Sequence, residues 1–106
     1  MKYSDLSNFI DGKPSTPKVP RAERYSPVDG ALLSTIPMSD LAELDRAVAA
    51  AKAAFPIWSS WTLKERAAVF FKYYALLSQR VDEIADVLHN EMGKDFNEAK
   101  AEVAKS

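Results

Sequence analysis

Prolines, glycines and alanines divide this 106-residue chain into two parts with different folding requirements. Five of the six prolines and two of the three glycines precede Met38, whereas the chain from Met38 onward contains one proline, one glycine and 14 alanines. Proline disrupts helix interiors, and alanine has the highest helix propensity. The pattern predicts an extended, turn-rich arm over residues 1–37 and a helical section over residues 38–106.

The arm begins with a short apolar segment, Asn8-Phe9-Ile10, that runs into Asp11-Gly12. An Asp-Gly pair after such a segment is typical of a strand that enters a tight turn. The following prolines argue against a helix and favour a meandering linker. These prolines are Pro14, Pro17 and Pro20.

A second strand is predicted near the end of the arm. Pro27 fits the second position of a β-turn and Gly30 fits its end. Leu32–Ile36 is a β-type run, which we expect Pro37 to stop. The arm thus offers two or three short strands, which are too few for a stable sheet of their own, so they need a partner.

The first predicted helix covers about residues 40–54. Ser39 or Asp40 can cap its N-terminus, and Pro56 is expected to end it. Its apolar residues recur at spacings of three and four and form one stripe that faces a neighbour. The stripe consists of Leu44, Ala47, Val48, Ala51 and Ala54.

A longer helix is predicted over about residues 62–92. Thr62-Leu63-Lys64-Glu65 has the spacing of a capping box, in which Thr62 bonds the Glu65 N–H and Glu65 reaches back. Between Ala67 and Leu77, apolar residues cover most of the helix circumference. A helix of this kind is contacted on more than one side or belongs to something larger. We therefore expect the chain on its own to self-associate.

The stretch Asn90–Glu98, NEMGKDFNE, contains the last glycine of the chain. A phosphate-binding loop requires G-x-x-x-x-G-K-[ST] after a strand, whereas this segment has one glycine after a helix. Gly93 fits a left-handed helix end, and Asp95 with Glu98 fits the cap of a new helix. The segment is therefore interpreted as a hinge that leads into a third helix over about residues 95–105.

Composition excludes several classes of function. The formal net charge of −1 offers no basic excess for nucleic acid. With no cysteine, the chain has no disulfide, thiolate zinc site or cysteine nucleophile. The N-terminus has no apolar run typical of a secretory signal, and no run approaches the roughly 20 apolar residues of a membrane helix. These features predict a cytoplasmic protein without a membrane or nucleic-acid partner.

Several residues near the hinge are candidates for a chemical role. Lys94 lies just past a helix C-terminus, where the helix dipole explains a cation. His89 is expected at the surface or its boundary rather than in proton transfer. Three carboxylates could bind a cation, although a solvated acidic face is the commoner explanation. They are Glu91, Glu98 and Glu102.

Two further groups of residues are candidates for a binding site or an interface. Trp58 and Trp61 are predicted to anchor the loop between the first two helices, and an aromatic pair can also mark an interface. Lys64, Arg66 and Lys72 form a basic group too weak to indicate a ligand. No residue is assigned a catalytic, cofactor-binding or metal-binding role.

Taken in order, these segments resemble the N-terminal segment of the aldehyde dehydrogenase superfamily across nearly the whole chain. Ser26–Gly30 is similar to the same segment in semialdehyde and non-phosphorylating glyceraldehyde-3-phosphate dehydrogenases. The segments that carry the resemblance are Asn8–Lys13, Ser26–Pro37, Asp45–Trp58, Glu65–Ala68, Glu91–Lys94 and Glu98–Val103.

The resemblance implies an α/β parent in which this chain, mainly α with a short-strand arm, forms part of the N-terminal cofactor-binding domain. The family oxidises aldehydes with NAD or NADP, using a cysteine nucleophile and a glutamate base. The nucleophile, the base and the cofactor turn would lie beyond Ser106, so the chain alone should bind no cofactor and be inactive. Some relatives bind a monovalent cation near the hinge, and Glu102 is the nearest match to the acidic residue involved.

Partners implied by the resemblance are the remainder of the enzyme or sister subunits, in a homo-oligomer. The chain would then be a truncated gene product or an expressed segment. The alternative is an autonomous helical module that binds a protein partner. A helix-turn-helix DNA-binding protein is disfavoured by the neutral charge.

Overall fold

The computed structural model describes all residues from 1 to 106 as four short strands followed by four helices. Helices cover more than half of the chain, which confirms the prediction of a mainly α chain with a short-strand arm. The elements are β1 (Asn8–Ile10), β2 (Lys13–Ser15), β3 (Arg21–Tyr25), β4 (Leu32–Pro37), α1 (Leu41–Ser60), α2 (Leu63–Gln79), α3 (Val81–Met92) and α4 (Phe96–Lys105).

The elements belong to two compact units. Unit 1 contains residues 1–24 and 32–62, and unit 2 contains residues 25–31 and 63–106. The division does not follow the predicted boundary between residues 37 and 38, because α1 groups with the strands of the arm. The β-turn at residues 25–31 groups with α2, α3 and α4.

Strands β1 and β2 form an antiparallel hairpin with a two-residue turn. Asp11 and Gly12 both have positive φ, 51° and 72°, as a turn that matches the twist of its strands requires. Pro14, which is predicted in a linker, lies in β2 and pairs with Phe9 of β1. A two-stranded sheet consists of edge strands only, and an edge strand tolerates the missing N–H of proline.

Strands β3 and β4 form a second two-stranded sheet, and β3 was not predicted. The N-terminal residues run along β4, where the Tyr3 N–H donates to the Leu33 carbonyl at 2.7 Å and the Leu6 N–H to that of Thr35 at 2.9 Å. The Arg21 Nε donates to Thr35 Oγ1 at 2.6 Å. The count of two or three strands was therefore too low, because backbone and side-chain hydrogen bonds hold segments that carry no apolar alternation.

Helix α1 begins as predicted but ends later. The Asp40 carboxylate accepts the Glu43 N–H at 2.9 Å, which confirms the N-cap. The prediction that Pro56 ends the helix is wrong, since Pro56 lies inside α1. Proline removes the hydrogen bond to the carbonyl four residues earlier, and its ring crowds that same carbonyl. Because Lys52 is exposed, its carbonyl can turn to water and the helix continues.

The predicted helix over residues 62–92 consists of two helices, α2 and α3. The chain breaks at Arg80, whose φ of −115° and ψ of 18° are not helical. Its N–H donates to the Leu77 carbonyl three residues back, at 3.0 Å, as in the tightened last turn of a helix. No glycine or proline marks this break, so the prediction of one helix is wrong for a reason that composition does not reveal.

Helices α3 and α4 pack against each other through small residues. Ala85 and Ala99 are fully buried, and their methyl groups allow the two backbones to approach closely. On the exposed side, Lys100 Nζ lies 2.7 Å from Asp82 Oδ1. Exposed ion pairs contribute little, so alanine packing dominates this helical pair.

Large apolar side chains are mostly exposed in this chain. The buried hydrophobic residues are Leu33, Ala85 and Ala99, and α2 buries no residue at all. On α2, Phe70, Phe71 and Tyr74 are 62%, 75% and 72% exposed. The predicted excess of apolar surface around Ala67–Leu77 is therefore present in the structure.

Candidate functional site

The hinge between α3 and α4 has the predicted geometry. Gly93 has a φ of 70° and a ψ of 14°, and its N–H donates to the His89 carbonyl at 2.9 Å. The Asp95 carboxylate accepts the N–H groups of Asn97 and Glu98 at 3.0 and 3.3 Å. The left-handed helix end and the acidic cap are both confirmed, and neither arrangement leaves a phosphate cradle.

Within unit 2, the β-turn at residues 25–31 rests on this hinge. A Cβ atom on Gly93 would lie 3.3 Å from Pro27 Cγ. The turn is closed by the Gly30 N–H, which donates to the Ser26 carbonyl at 2.9 Å, and the Val28 N–H donates to Ser26 Oγ at 3.1 Å. Two segments far apart in the sequence thus meet, and glycine provides both the backbone angle and the space.

Two side chains of the hinge have structural partners. His89 Nδ1 lies 2.5 Å from the Lys94 carbonyl, so this nitrogen carries the proton and donates. Lys94 Nζ pairs with the Glu102 carboxylate, and that hydrogen bond raises the pKa of Lys94 above its ordinary value. A lysine acting as nucleophile or base requires the opposite shift. The partners found for His89 and Lys94 are structural ones.

The acidic residues near the hinge do not assemble into a metal site. No group of three or more histidine, cysteine or acidic side chains in the chain could hold a metal ion. Glu98 and Glu102 line an open surface pocket together with Lys94, and Glu91 does not line it. Because the Glu102 carboxylate is paired with Lys94, a cation would have to compete with an ammonium group already in place.

The aromatic and basic candidates also fail to form a site. Trp58 lies inside α1 rather than in a loop, because α1 extends to Ser60. Trp61 is the first residue after α1, and the centroids of the Trp58 and Trp61 rings lie 5.4 Å apart. Lys64, Arg66 and Lys72 all lie on α2. Positions two or six residues apart on a helix do not share a face, so these three residues form no cluster.

Sequence reasoning missed Glu43, which is buried with 4% of its surface exposed. Ser15 Oγ and Asn8 Nδ2 donate to its carboxylate at 2.6 and 3.2 Å, and Arg46 Nη1 lies 2.8 Å away. The hydrogen bond from Ser15, then that from Asn8, lowers the pKa of Glu43 below its ordinary value. The spacing Asp40-x-x-Glu43 was the available signal, since a glutamate three residues after an N-cap often has a structural role.

An exposed apolar groove lies on α2. It is an open groove of about 600 Å³ lined by Ala67, Phe70, Phe71, Tyr73, Tyr74, Leu77 and Ser106. We call its six α2 residues, Ala67 to Leu77, the α2 face. Phe71 and Tyr74 are 75% and 72% exposed, so large rings project into solvent without cover. The α2 residues that line the groove carry no charged side chain, which favours contact with protein over small polar ligands.

A helix with large exposed apolar side chains, such as α2, is typical of a segment that packs within a larger protein. The family model described as the aldehyde dehydrogenase family matches residues 15–106, and the chain belongs to that family. The identification as an N-terminal segment of this family is confirmed. No helix of the structure combines the length and apolarity needed to cross a bilayer.

Similar proteins include semialdehyde dehydrogenases. The chain is 37% identical over 99 residues to a malonate-semialdehyde dehydrogenase of Bacillus pumilus, covering 92% of this chain and 20% of that protein. The crystal structure of succinate-semialdehyde dehydrogenase from Burkholderia pseudomallei matches with a TM-score of 0.89 and 35% identity, covering 93% of this chain and 21% of the other. The crystal structure of NAD-dependent aldehyde dehydrogenase from Sinorhizobium meliloti matches with a TM-score of 0.89 and 29% sequence identity. The match covers 97% of this chain and 21% of the other.

The coverage is as informative as the similarity. The chain spans about a fifth of the length of these relatives. Its backbone follows theirs over nearly its entire length, which confirms that it has the fold of a segment of an aldehyde dehydrogenase.

Proposed function

We propose that this chain forms part of the N-terminal, cofactor-binding domain of an NAD(P)-dependent aldehyde dehydrogenase that oxidises an aldehyde or semialdehyde to the acid. The observation that carries the proposal is the uncovered α2 face in a chain whose backbone matches one fifth of such enzymes. Apolar rings exposed to this extent are stable in a soluble enzyme only when other polypeptide covers them.

The contribution of this chain to the reaction is structural. The Glu43 carboxylate holds the β1–β2 hairpin on α1 through Asn8 and Ser15, and the hinge fixes the α3–α4 pair. The cysteine nucleophile, the glutamate base and the cofactor turn belong to polypeptide outside these 106 residues. In this proposal, the chain alone neither binds NAD(P) nor turns over an aldehyde.

The semialdehyde specificity is supported by the names of the relatives, malonate-semialdehyde and succinate-semialdehyde dehydrogenases. Substrate-contacting residues would lie elsewhere in the enzyme, so this chain supports a substrate class rather than one compound. A cytoplasmic homo-oligomer completes the proposal and follows from the resemblance. An autonomous interaction module is the alternative, and the reading frame beyond residue 106 separates the two.

A chimera tests the proposal. The matching segment of the Bacillus pumilus malonate-semialdehyde dehydrogenase is replaced with this chain, and NADH formation with malonate semialdehyde is measured. We expect turnover by the chimera and none by the free chain. A control chimera that carries the matching segment of the Burkholderia pseudomallei succinate-semialdehyde dehydrogenase tests whether the junctions are tolerated. A folded but inactive chimera beside an active control, or turnover by the free chain, would contradict the proposal.

A further inference from the structure

We propose that the Asp11–Gly12 turn of the β1–β2 hairpin is a site of spontaneous isomerisation to isoaspartate, and that the modified hairpin loses its hold on α1. The chain contains two Asp-Gly pairs, Asp11–Gly12 and Asp29–Gly30. Glycine is the least hindered residue that can follow an aspartate, because no Cβ atom lies beside the reacting nitrogen. Both pairs are exposed, so the structure around each pair decides which of them reacts.

The reaction needs only the chain and water. The Gly12 nitrogen attacks Asp11 Cγ, and the new C–N bond closes a succinimide ring. One water molecule leaves, made from a carboxyl oxygen, its proton and the amide proton. Water then opens the ring again: cleavage of the bond to Cγ restores aspartate, and cleavage of the bond to the main-chain carbonyl carbon of residue 11 gives isoaspartate. The product has the same atoms as the starting chain, and nothing is oxidised or reduced.

The reacting groups of Asp29–Gly30 are both hydrogen-bonded. The Gly30 N–H donates to the Ser26 carbonyl at 2.9 Å, and Asp29 Oδ1 accepts the Ala31 N–H at 3.0 Å. A further bond, from the Ser26 N–H to the Ala31 carbonyl at 2.9 Å, closes the same turn. Ring closure requires these bonds to break, so the turn protects this pair.

The reacting groups of Asp11–Gly12 are not held in this way. The structure shows no hydrogen bond to the Asp11 carboxylate or from the Gly12 N–H. Asp11 also has a positive φ of 51°, which a residue with a Cβ atom adopts at a cost. Ring closure requires the turn to open, and a hairpin with strands of three residues is only marginally stable on its own. We therefore expect this pair to react faster than Asp29–Gly30.

Isoaspartate changes the register of the hairpin. It carries the main chain through the side chain of residue 11 and so adds one methylene to a two-residue turn. In the native register Asn8 lies opposite Ser15, and both side chains donate to Glu43 Oε1, at 3.2 and 2.6 Å. Because turn length fixes the register, a longer turn displaces one strand against the other and separates these two donors. The attachment of the hairpin to α1 is thereby weakened.

Ageing the chain in water enriched in heavy oxygen tests the site of reaction. Each passage through the ring introduces one oxygen atom from water, so peptide mapping by mass spectrometry follows both pairs in one sample. We expect incorporation at Asp11 to be faster than at Asp29, on the order of tenfold, because hydrogen bonds hold only the second pair. Electron-transfer fragmentation should then detect isoaspartate at position 11.

Unfolding in urea provides the matched control, because the two pairs follow similar residues, Ile10 and Val28, and differ in their folded surroundings. In urea the two rates should become equal. Equal rates in the folded chain, faster reaction at Asp29, no isoaspartate at position 11, or an unequal ratio that persists in urea would overturn the assignment of the site.

The effect on the hairpin is measured on the isoaspartate form after chromatographic separation. Its thermal midpoint should be lower than that of the native chain. Glu43→Ala should remove most of this difference, because no carboxylate is left to release, whereas Lys52→Gln at an exposed position of α1 should keep it. If Glu43→Ala does not fold, Ser15→Ala, which removes the shorter of the two hydrogen bonds, should reduce the difference. An unchanged midpoint, or a difference as large without these hydrogen bonds as with them, would overturn the proposed effect.

Discussion

Replacing Gly93 by alanine separates two costs at the hinge between α3 and α4. The first is backbone strain, because φ is 70° at this position and residues with a Cβ atom rarely adopt it. The second is contact, because the new Cβ would lie 3.3 Å from Pro27 Cγ. Gly30 is a matched control in the same unit, since its φ is 73° and no atom lies within 4 Å of a Cβ built there.

The two variants should differ by the contact alone. A left-handed conformation costs about 1–2 kcal/mol for a residue with a Cβ atom, and alanine recovers about 0.4–1 kcal/mol through the unfolded state. Both values apply equally to Gly30→Ala and Gly93→Ala and cancel in the comparison. Moving Pro27 by a few tenths of an ångström adds about 1 kcal/mol, at the lower end of overpacking costs. We therefore expect Gly93→Ala to lose more stability than Gly30→Ala, by about this amount.

Urea unfolding at low micromolar concentration measures both free energies. The Pro27→Ala background provides the decisive comparison, because it removes the atom that the new Cβ meets. There the difference between the two alanine variants should vanish. Equal destabilisation in the native background, or a difference that persists without the Pro27 ring, would refute a contact between turn and hinge.

Three further predictions concern separate parts of the chain. The pKa of Glu43 is lowered in the folded chain, so the stabilising effect of its carboxylate is complete above the ordinary pKa of 4.5 and is lost as the pH falls through the lower folded pKa. Glu43→Gln should therefore flatten the decline of the thermal midpoint below pH 4.5. Ala99→Leu should cost about 1–3 kcal/mol in urea unfolding, and Ala101→Leu on the exposed side of α4 should cost much less. Pro56→Ala should raise the unfolding free energy by about 2 kcal/mol and increase helix content in circular dichroism, because it restores one hydrogen bond within α1.

Local chemistry made part of this fold predictable. Asp40 and Asp95 are side-chain caps, and Gly93 is the left-handed helix end. Each is specified by a short motif whose function does not depend on distant residues. The apolar residues on most sides of α2 were equally predictable, because their positions follow from the sequence of that helix alone.

The features that were missed depend on long-range partners. Strand β3 is held by bonds such as that from Arg21 to Thr35, and Glu43 by donors about 30 residues away. No glycine or proline lies at the break at Arg80, so the local sequence does not indicate it. The prediction that Pro56 ends α1 is wrong because the carbonyl that loses its partner is exposed and can bond to water. Tertiary context decided these cases against local propensity.

Hydrogen exchange across α2 tests most directly whether further polypeptide of the enzyme covers this helix. Amide exchange of residues 63–79 is measured in the dilute free chain and in the aldehyde dehydrogenase chimera. We expect exchange to be on the order of 100-fold slower in the chimera, because uncovered helices open at low free-energy cost. Equal protection in both proteins, or an α2 helix already the most protected element of the free monomer, would contradict the account.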